Sequence, residues 1–229
     1  MNTLNSRMLL GVLGAGLILA HVNRGVADDT PPASIAPAAR VDLFNGRDFS
    51  GWTFCLRSNA EPSLTWNVTN GLMHCIGQPF GYVRTAKTYR DYKLTVEWRF
   101  VKIAPRADNS GVFIHVQQPD NVWPKCIENQ GQFQHQGDLI LLGGATCTGH
   151  ETPQTRGVVA KESRNEHPAG EWNTYEVVCR GDTLKSYVNG KLMNEISGCS
   201  VSSGAIAVQS EGGEWELRKI YLEPLPASP

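Results

Sequence analysis

Beyond residue 40, apolar and polar residues alternate with a period of two along much of the chain. The clearest run is Tyr92 to Val101, where Tyr92, Leu94, Val96, Trp98 and Phe100 alternate with Lys93, Thr95, Glu97 and Arg99. Successive side chains of a strand point to opposite faces, so the pattern predicts a strand with one face in a core and the other polar. Gly111 to Gln117 repeats it, with Val112, Ile114 and Val116 set against Phe113, His115 and Gln117. Asp138 to Leu142 is a short apolar run ended by Gly143-Gly144. Trp66 to Met73 reads as strand, turn, strand, with Asn70-Gly71 as the hairpin signal. Trp172 to Arg180, Leu184 to Val188 and Lys191 to Ile196 form a meander turned by Gly181-Asp182 and Asn189-Gly190. Gly204 to Ser210 and Trp215 to Glu223 supply two further strands. Helical periodicity is confined to a short turn after Thr85. Strands at such spacing, split by Gly and Asn turns, predict an all-β sandwich or barrel, and two packed sheets can bury the apolar sets.

The first forty residues differ. Arg7 opens them, Met8 to Ala20 is an uncharged apolar run, and Gly25-Val26-Ala27 offers small residues for a signal peptidase. The run is shorter than the roughly 20 apolar residues that span a bilayer. The expectation is therefore a signal peptide over 1–27, cleaved after Ala27, and a secreted or periplasmic product with no membrane span in the mature chain. Residues 28–39, rich in Pro, Ala and Asp, are expected to be a disordered leader. Residues 40–226 should form one domain, since 229 residues do not comfortably hold two. A net charge of −1 gives no reason to expect nucleic acid as a partner. The six cysteines, in an exported chain, favour disulfides, and sequential pairing (55–75, 126–147, 179–199) is one of many connectivities. No Cys-x-x-Cys pair points to zinc, and His74, His135 and His150 have no spacing for a shared metal site.

Several segments, taken together, carry a family resemblance. They are Leu43-Phe44-Asn45-Gly46-Arg47-Asp48-Phe49-Ser50-Gly51-Trp52, Tyr89-Arg90-Asp91-Tyr92, Asn109-Ser110-Gly111-Val112-Phe113 and Trp123-Pro124-Lys125-Cys126-Ile127-Glu128-Asn129-Gln130. Further along come Gly170-Glu171-Trp172-Asn173, Val188-Asn189-Gly190-Lys191, Gly204 to Gln209 and Arg218-Lys219-Ile220. In this order they resemble the 3-keto-disaccharide hydrolase family over residues 41 to 224. The resemblance implies a concanavalin A-like jelly-roll sandwich of two antiparallel sheets, a carbohydrate substrate, and cleavage of a glycoside already oxidised at C3. One position departs from the pattern: residue 129 is Asn where an apolar residue is expected. Together with the Gln-rich stretch 132–136, this leaves open whether the segment is strand or loop, and hence where Glu128 points.

The chemistry implied is specific. A C3 ketone acidifies the C2 proton; a base removes it, the C1 leaving group is eliminated, and water adds back. That calls for a base, an acid near the glycosidic oxygen, and positive charge at the C3 oxygen. By strand parity the polar candidates are Glu97, Arg99, His115, Glu128, Gln130, Asp138, Gln209 and Glu211. The expected catalytic set is Glu128 or His115 as base, with Arg99, or a divalent metal ion, at the oxyanion. Glu97, Asn109, Gln130, Asp138, Gln209 and Glu211 are expected to bind hydroxyls. Trp123, beside Pro124 in a loop, is the expected sugar platform, whereas Trp52, Trp66, Trp98 and Trp172 are assigned to the core. A direct glycosidase would need two carboxylates across the bond, Glu128 with Glu211 or Asp138. A non-catalytic carbohydrate-binding module and an interaction protein of an envelope complex are the other readings, because one fold serves all three.

Overall fold

The computed structural model describes residues 33–102, 109–154, 156–161 and 163–225. Among them fifteen strands run in chain order: β1 (Val41–Asp42), β2 (Trp52–Leu56), β3 (Trp66–Thr69), β4 (Leu72–Cys75), β5 (Gly81–Thr85), β6 (Tyr92–Phe100), β7 (Gly111–Val116), β8 (Cys126–Gln130), β9 (Leu139–Leu142), β10 (Arg156–Val159), β11 (Asn173–Arg180), β12 (Thr183–Val188), β13 (Lys191–Ile196), β14 (Ala205–Ser210) and β15 (Trp215–Pro224). They form two antiparallel sheets. One has the order β13-β12-β11-β6-β15-β4-β3, with β1 added against β15; the other has the order β10-β9-β8-β7-β14-β5-β2. This is the sandwich the alternation allows and the jelly roll the family resemblance implies.

The core lies between the sheets. Tyr92, Leu94, Val96, Trp98 and Phe100 enter it from β6, and Val112, Ile114, Ile127, Leu139, Leu141, Ile206 and Val208 face them from the second sheet. The second sheet is apolar on its other side as well: Tyr82, Phe113, Val116, Cys126, Ile140, Leu142, Ala205 and Ala207 form a smaller cluster on its outer face. Burial on both faces explains why β7, β8, β9 and β14 read as nearly continuous buried runs. The meander of β11, β12 and β13 pairs in sequence, as its turns predict.

Several expectations are corrected. The strands β2, β5 and β10 escaped the sequence pattern, and no helical turn follows Thr85; Tyr89 instead bridges Ile35 and Gly204. Of the segment expected to be a leader, residues 28–32 lie outside the described residues, as does the expected signal peptide. Ile35, further along it, donates its N–H to the Thr88 carbonyl and accepts from the Arg90 N–H, so the chain is tied down before Arg40. All six cysteines are free thiols. Cys126 lies in the outer-face cluster while Cys147 lies in the inter-sheet core, so a sheet separates that expected pair. Cys55 packs on the outer cluster and Cys75 in the core, with the same consequence.

Leu94 is fully buried near the centre of β6, which is hydrogen-bonded on both sides by β11 and β15. Truncation there leaves a cavity that two laddered neighbours cannot close. Leu94→Ala is expected to cost about 2–5 kcal/mol of folding free energy, read as a shift in the midpoint of urea unfolding with unchanged slope.

Candidate functional site

The outer face of the second sheet carries the site, and strand pairing decides who reaches it. Glu128 stands opposite Phe113 on β7 and Ile140 on β9, both members of the outer-face cluster. Asn129, the departure from the family pattern, takes the opposite face: it is buried opposite Val112 and Leu139 and accepts a hydrogen bond from the Ser186 hydroxyl of the facing sheet. The Ser186 hydroxyl thus engages the Asn129 side-chain oxygen, while Nδ2 has no partner, and the alternation is kept. The segment is a strand as far as Gln130, and Glu128 points outward.

Glu128 lines a hollow of about 210 Å³ together with Trp123, Leu142, Arg156 and Glu211. Its side chain is only 2% exposed, and its Oε1 has no hydrogen-bond partner. A buried polar group without a partner is costly, which makes the exceptions informative. Burial, with the nearby Glu211 charge adding to it, pushes the Glu128 carboxyl from its ordinary 4.5 up to about 8, against a smaller lowering by Arg156. Burial also raises Glu211, opposed first by the Gln209 side chain and then by Arg156.

The segment 109–111 builds one wall, each residue differently. Asn109 donates from Nδ2 to Glu211 Oε2 at 2.7 Å, holding that carboxylate. Ser110 donates its hydroxyl to the Gln209 carbonyl at 2.8 Å and ties β14 to the segment. Gly111 leaves the space that Glu128 occupies, since a Cβ there would sit 2.3 Å from Glu128 Oε1. Gln209 is 1% exposed and its side chain lies against the Glu211 carboxyl, helping to hold its pKa down, while Asn109 Oδ1 is unpartnered. Trp123 is 36% exposed at the rim, its ring edge-on to Phe80 with centroids 6.4 Å apart.

Other expected residues lie elsewhere. Glu97 and Arg99 project from β6 on the outer face of the opposite sheet. Glu97 accepts from Arg218 Nε at 2.6 Å and Lys219 Nζ at 3.1 Å. Arg99 pairs with Glu216 at 2.7 Å and stacks its guanidinium 4.5 Å from the Trp172 ring. Trp172, expected in the core, is instead only half-buried between Arg99 and Arg218. The sandwich thus separates Arg99 from Glu128, and Arg99 cannot be the positive group of the hollow; Arg156 stands there instead. Nothing in the sequence signalled Arg156, because β10 is too short and too exposed to show a period.

His115 is also corrected. It has a left-handed backbone, φ 58°, where the β7–β14 register shifts. The extra residue of this bulge turns the side chain inward, so the ring packs edge-on against Tyr92 of the facing sheet, centroids 5.6 Å apart. Burial lowers its pKa to about 4 and keeps the imidazole neutral. Gln130 spends its Oε1 on the backbone N–H groups of Gly131 and Gln132, shaping the following turn. Asp138 lines a different pocket, accepting from the Lys161 N–H at 2.8 Å and facing His135 Nδ1 at 3.1 Å. Of the expected set, the fold gathers Glu128, Glu211, Asn109, Gln209 and Trp123 around one hollow. Among the described residues no group of three or more His, Cys, Asp or Glu side chains could hold a metal ion, and no helix is long and apolar enough to cross a membrane.

A jelly-roll sandwich with an acidic hollow and an aromatic rim on one sheet defines a glycoside-hydrolase-like or carbohydrate-binding domain. The chain belongs to the family described as 3-keto-alpha-glucoside-1,2-lyase-like domain, whose pattern matches residues 39–223. Solved structures agree on the fold. A protein of Parabacteroides distasonis classed as a glycosyl hydrolase is 18% identical, TM-score 0.60, over 82% of this chain and 94% of its own. The carbohydrate-binding module CBM66 of Bacillus subtilis is 11% identical, TM-score 0.57, over 76% of this chain and 95% of its own. The β-glucanase of Bacillus licheniformis is 13% identical, TM-score 0.55, over 81% and 97%. None of the curated proteins compared with the chain matches it.

The raised Glu128 pKa has a thermodynamic signature. The folded protein keeps a proton that the unfolded chain releases, so its stability falls as pH rises from about 4.5 to about 8 and levels off above that. Glu128→Gln removes the penalty. Its melting temperature is expected to gain on the wild type by a few degrees across that window and to stay ahead at higher pH. Parallel melting curves from pH 4 to 9 check this.

Proposed function

We propose that this chain is an exported enzyme that cleaves 3-keto-α-glucosides by elimination across C1 and C2, with Glu128 as proton donor and Glu211 as base. The observation that carries it is the Glu128 carboxyl, buried with Oε1 unpartnered in the same hollow as Glu211, where burial raises its pKa to about 8. A pair of carboxyl groups whose environments push their proton affinities apart is how one site supplies acid and base together. The ketone at C3 makes the C2–H acidic. Glu211, held by Asn109, takes that proton, and the electron pair moves toward the C3 oxygen as an enolate. Arg156 offers that oxygen its positive charge. The enolate collapses, the C1–O bond breaks, and Glu128 gives its proton to the departing oxygen. Water adding at C1 of the resulting enone restores 3-ketoglucose, with the net result of hydrolysis. The pKa of about 8 moves Glu128 from the base expected by sequence to the acid. Trp123 at the rim offers an apolar face to the sugar ring or the leaving group.

The full chain incubated with 3-keto-trehalose is expected to release 3-ketoglucose, while trehalose itself is untouched. Glu128→Gln and Glu211→Gln should each lose about 10²–10⁴-fold in kcat, the usual worth of a positioned acid or base, with sugar affinity retained. Equal turnover of trehalose, or wild-type turnover by Glu128→Gln, would sink the mechanism. Binding of the keto-sugar without turnover in any buffer would favour the carbohydrate-binding module.

The pH profile follows from the same groups. Activity as proton donor needs Glu128 protonated, so kcat/KM should fall as pH passes about 8. The acidic limb, set by Glu211, should lie above the usual carboxylate range because burial raises that group. In Glu128→Asp the two limbs should move; a flat profile through pH 8 in the wild type would assign the donor role elsewhere.

A further inference from the structure

Outside the hollow, three cysteines gather where loops from the two sheets meet. The connection from β9 to β10 runs past the connection from β13 to β14. Thr148 N–H donates to the Ser197 carbonyl at 2.9 Å and Ser200 N–H to the Thr146 carbonyl at 2.9 Å. Thr146 N–H also donates to the Ser200 hydroxyl at 2.9 Å. These bonds bracket Cys147 on one loop and Gly198-Cys199 on the other, one residue against two as at a β-bulge. The approach is close enough that a Cβ on Gly198 would lie 2.5 Å from Thr148 Oγ1. Cys147 is 2% and Cys199 8% exposed, both within the inter-sheet core, and Cys147 lies near enough to raise the Cys199 thiol electrostatically. Cys179 lies in the same core and also senses Cys199, but it sits inside the ladder of β11 with both neighbours paired.

We propose that Cys147 and Cys199 are the site of a structural disulfide in the oxidised protein, with Cys179 left as a thiol. Hydrogen bonds on both sides of Cys147 and Cys199 hold the two loops at strand-like spacing, which falls within the range of Cα separations that disulfides span. The reaction balances with a small-molecule or protein disulfide as oxidant: the two thiols lose two protons and two electrons, one S–S bond forms, and the oxidant becomes two thiols. Burial raises both thiols in the folded form, so the bond forms while the loops are still open to the oxidant and is shielded afterwards. The bridge closes a long loop that includes β10, and so anchors the connection leading from Leu142 to Arg156, both of which line the hollow. It is consistent with an exported chain, and does not depend on the proposed chemistry.

The test is to refold the full chain in a buffer of oxidised and reduced glutathione, block free thiols with iodoacetamide, and map peptides without reduction. The expected result is a linked Cys147–Cys199 peptide, with Cys55, Cys75, Cys126 and Cys179 alkylated after denaturation. Its melting temperature should exceed that of the reduced protein by roughly 5–10 °C. Cys147→Ala and Cys199→Ser should each abolish both the linked peptide and the redox-dependent shift. Alkylated Cys147 and Cys199 in the oxidised sample, or a Cys179–Cys199 peptide in their place, would overturn the proposal. Turnover of the keto-sugar is measured separately, and its failure leaves the peptide map unaffected.

Discussion

A carboxyl group buried in the wall of the acidic hollow, with Oε1 lacking a partner, governs the site. Glu128 is set in a strand whose neighbours on the same face are Phe113 and Ile140, so its surroundings are apolar and its proton is retained. The cost of this arrangement is not relieved locally. It is carried by a sheet buried on both faces, where β7, β8, β9 and β14 are locked between the inter-sheet core and the outer-face cluster. A strand that was solvated on its outer side would let water reach the carboxyl and return it to its ordinary range.

The same constraint explains the surrounding sequence. Gly111 is small because Glu128 Oε1 occupies the place of its side chain. Asn109 and Ser110 fasten Glu211 and the backbone of Gln209 to that glycine, so the motif Asn-Ser-Gly is a bracket on which two strands and two carboxyl groups converge. Asn129, polar in a core position, finds Ser186 across the sandwich and so preserves the outward aim of Glu128. Charges on the opposite sheet neutralise one another at the surface: Glu97 with Arg218 and Lys219, Arg99 with Glu216.

Much of the architecture was legible in one dimension. Period-two alternation is a property of the strand itself, so β6, β11, β12 and β15 could be read from residue types alone, and the Gly and Asn turns set the meander. Glu128 and Gln209 were accessible as candidates through both motif and parity, Glu211 through parity alone, and Asn109 and Trp123 through the motifs that hold them. Parity failed where the backbone left the regular ladder. The bulge at His115 reverses its face, and the short edge strand β10, which brings Arg156 to the hollow, has no period to detect.

What the amino-acid order determined by itself is the longer alternating strands, the turns of the meander and which side of those strands is apolar, since these are local consequences of side-chain alternation. Only the tertiary structure decided which sheet each strand joins. Arg99 and Glu128 both alternate away from the core, yet they emerge on opposite sides of the sandwich, because sheet membership depends on hydrogen bonds between residues far apart in the chain. Proton affinities followed the same rule: burial and neighbouring charge, not residue type, separate Glu128 from an ordinary glutamate.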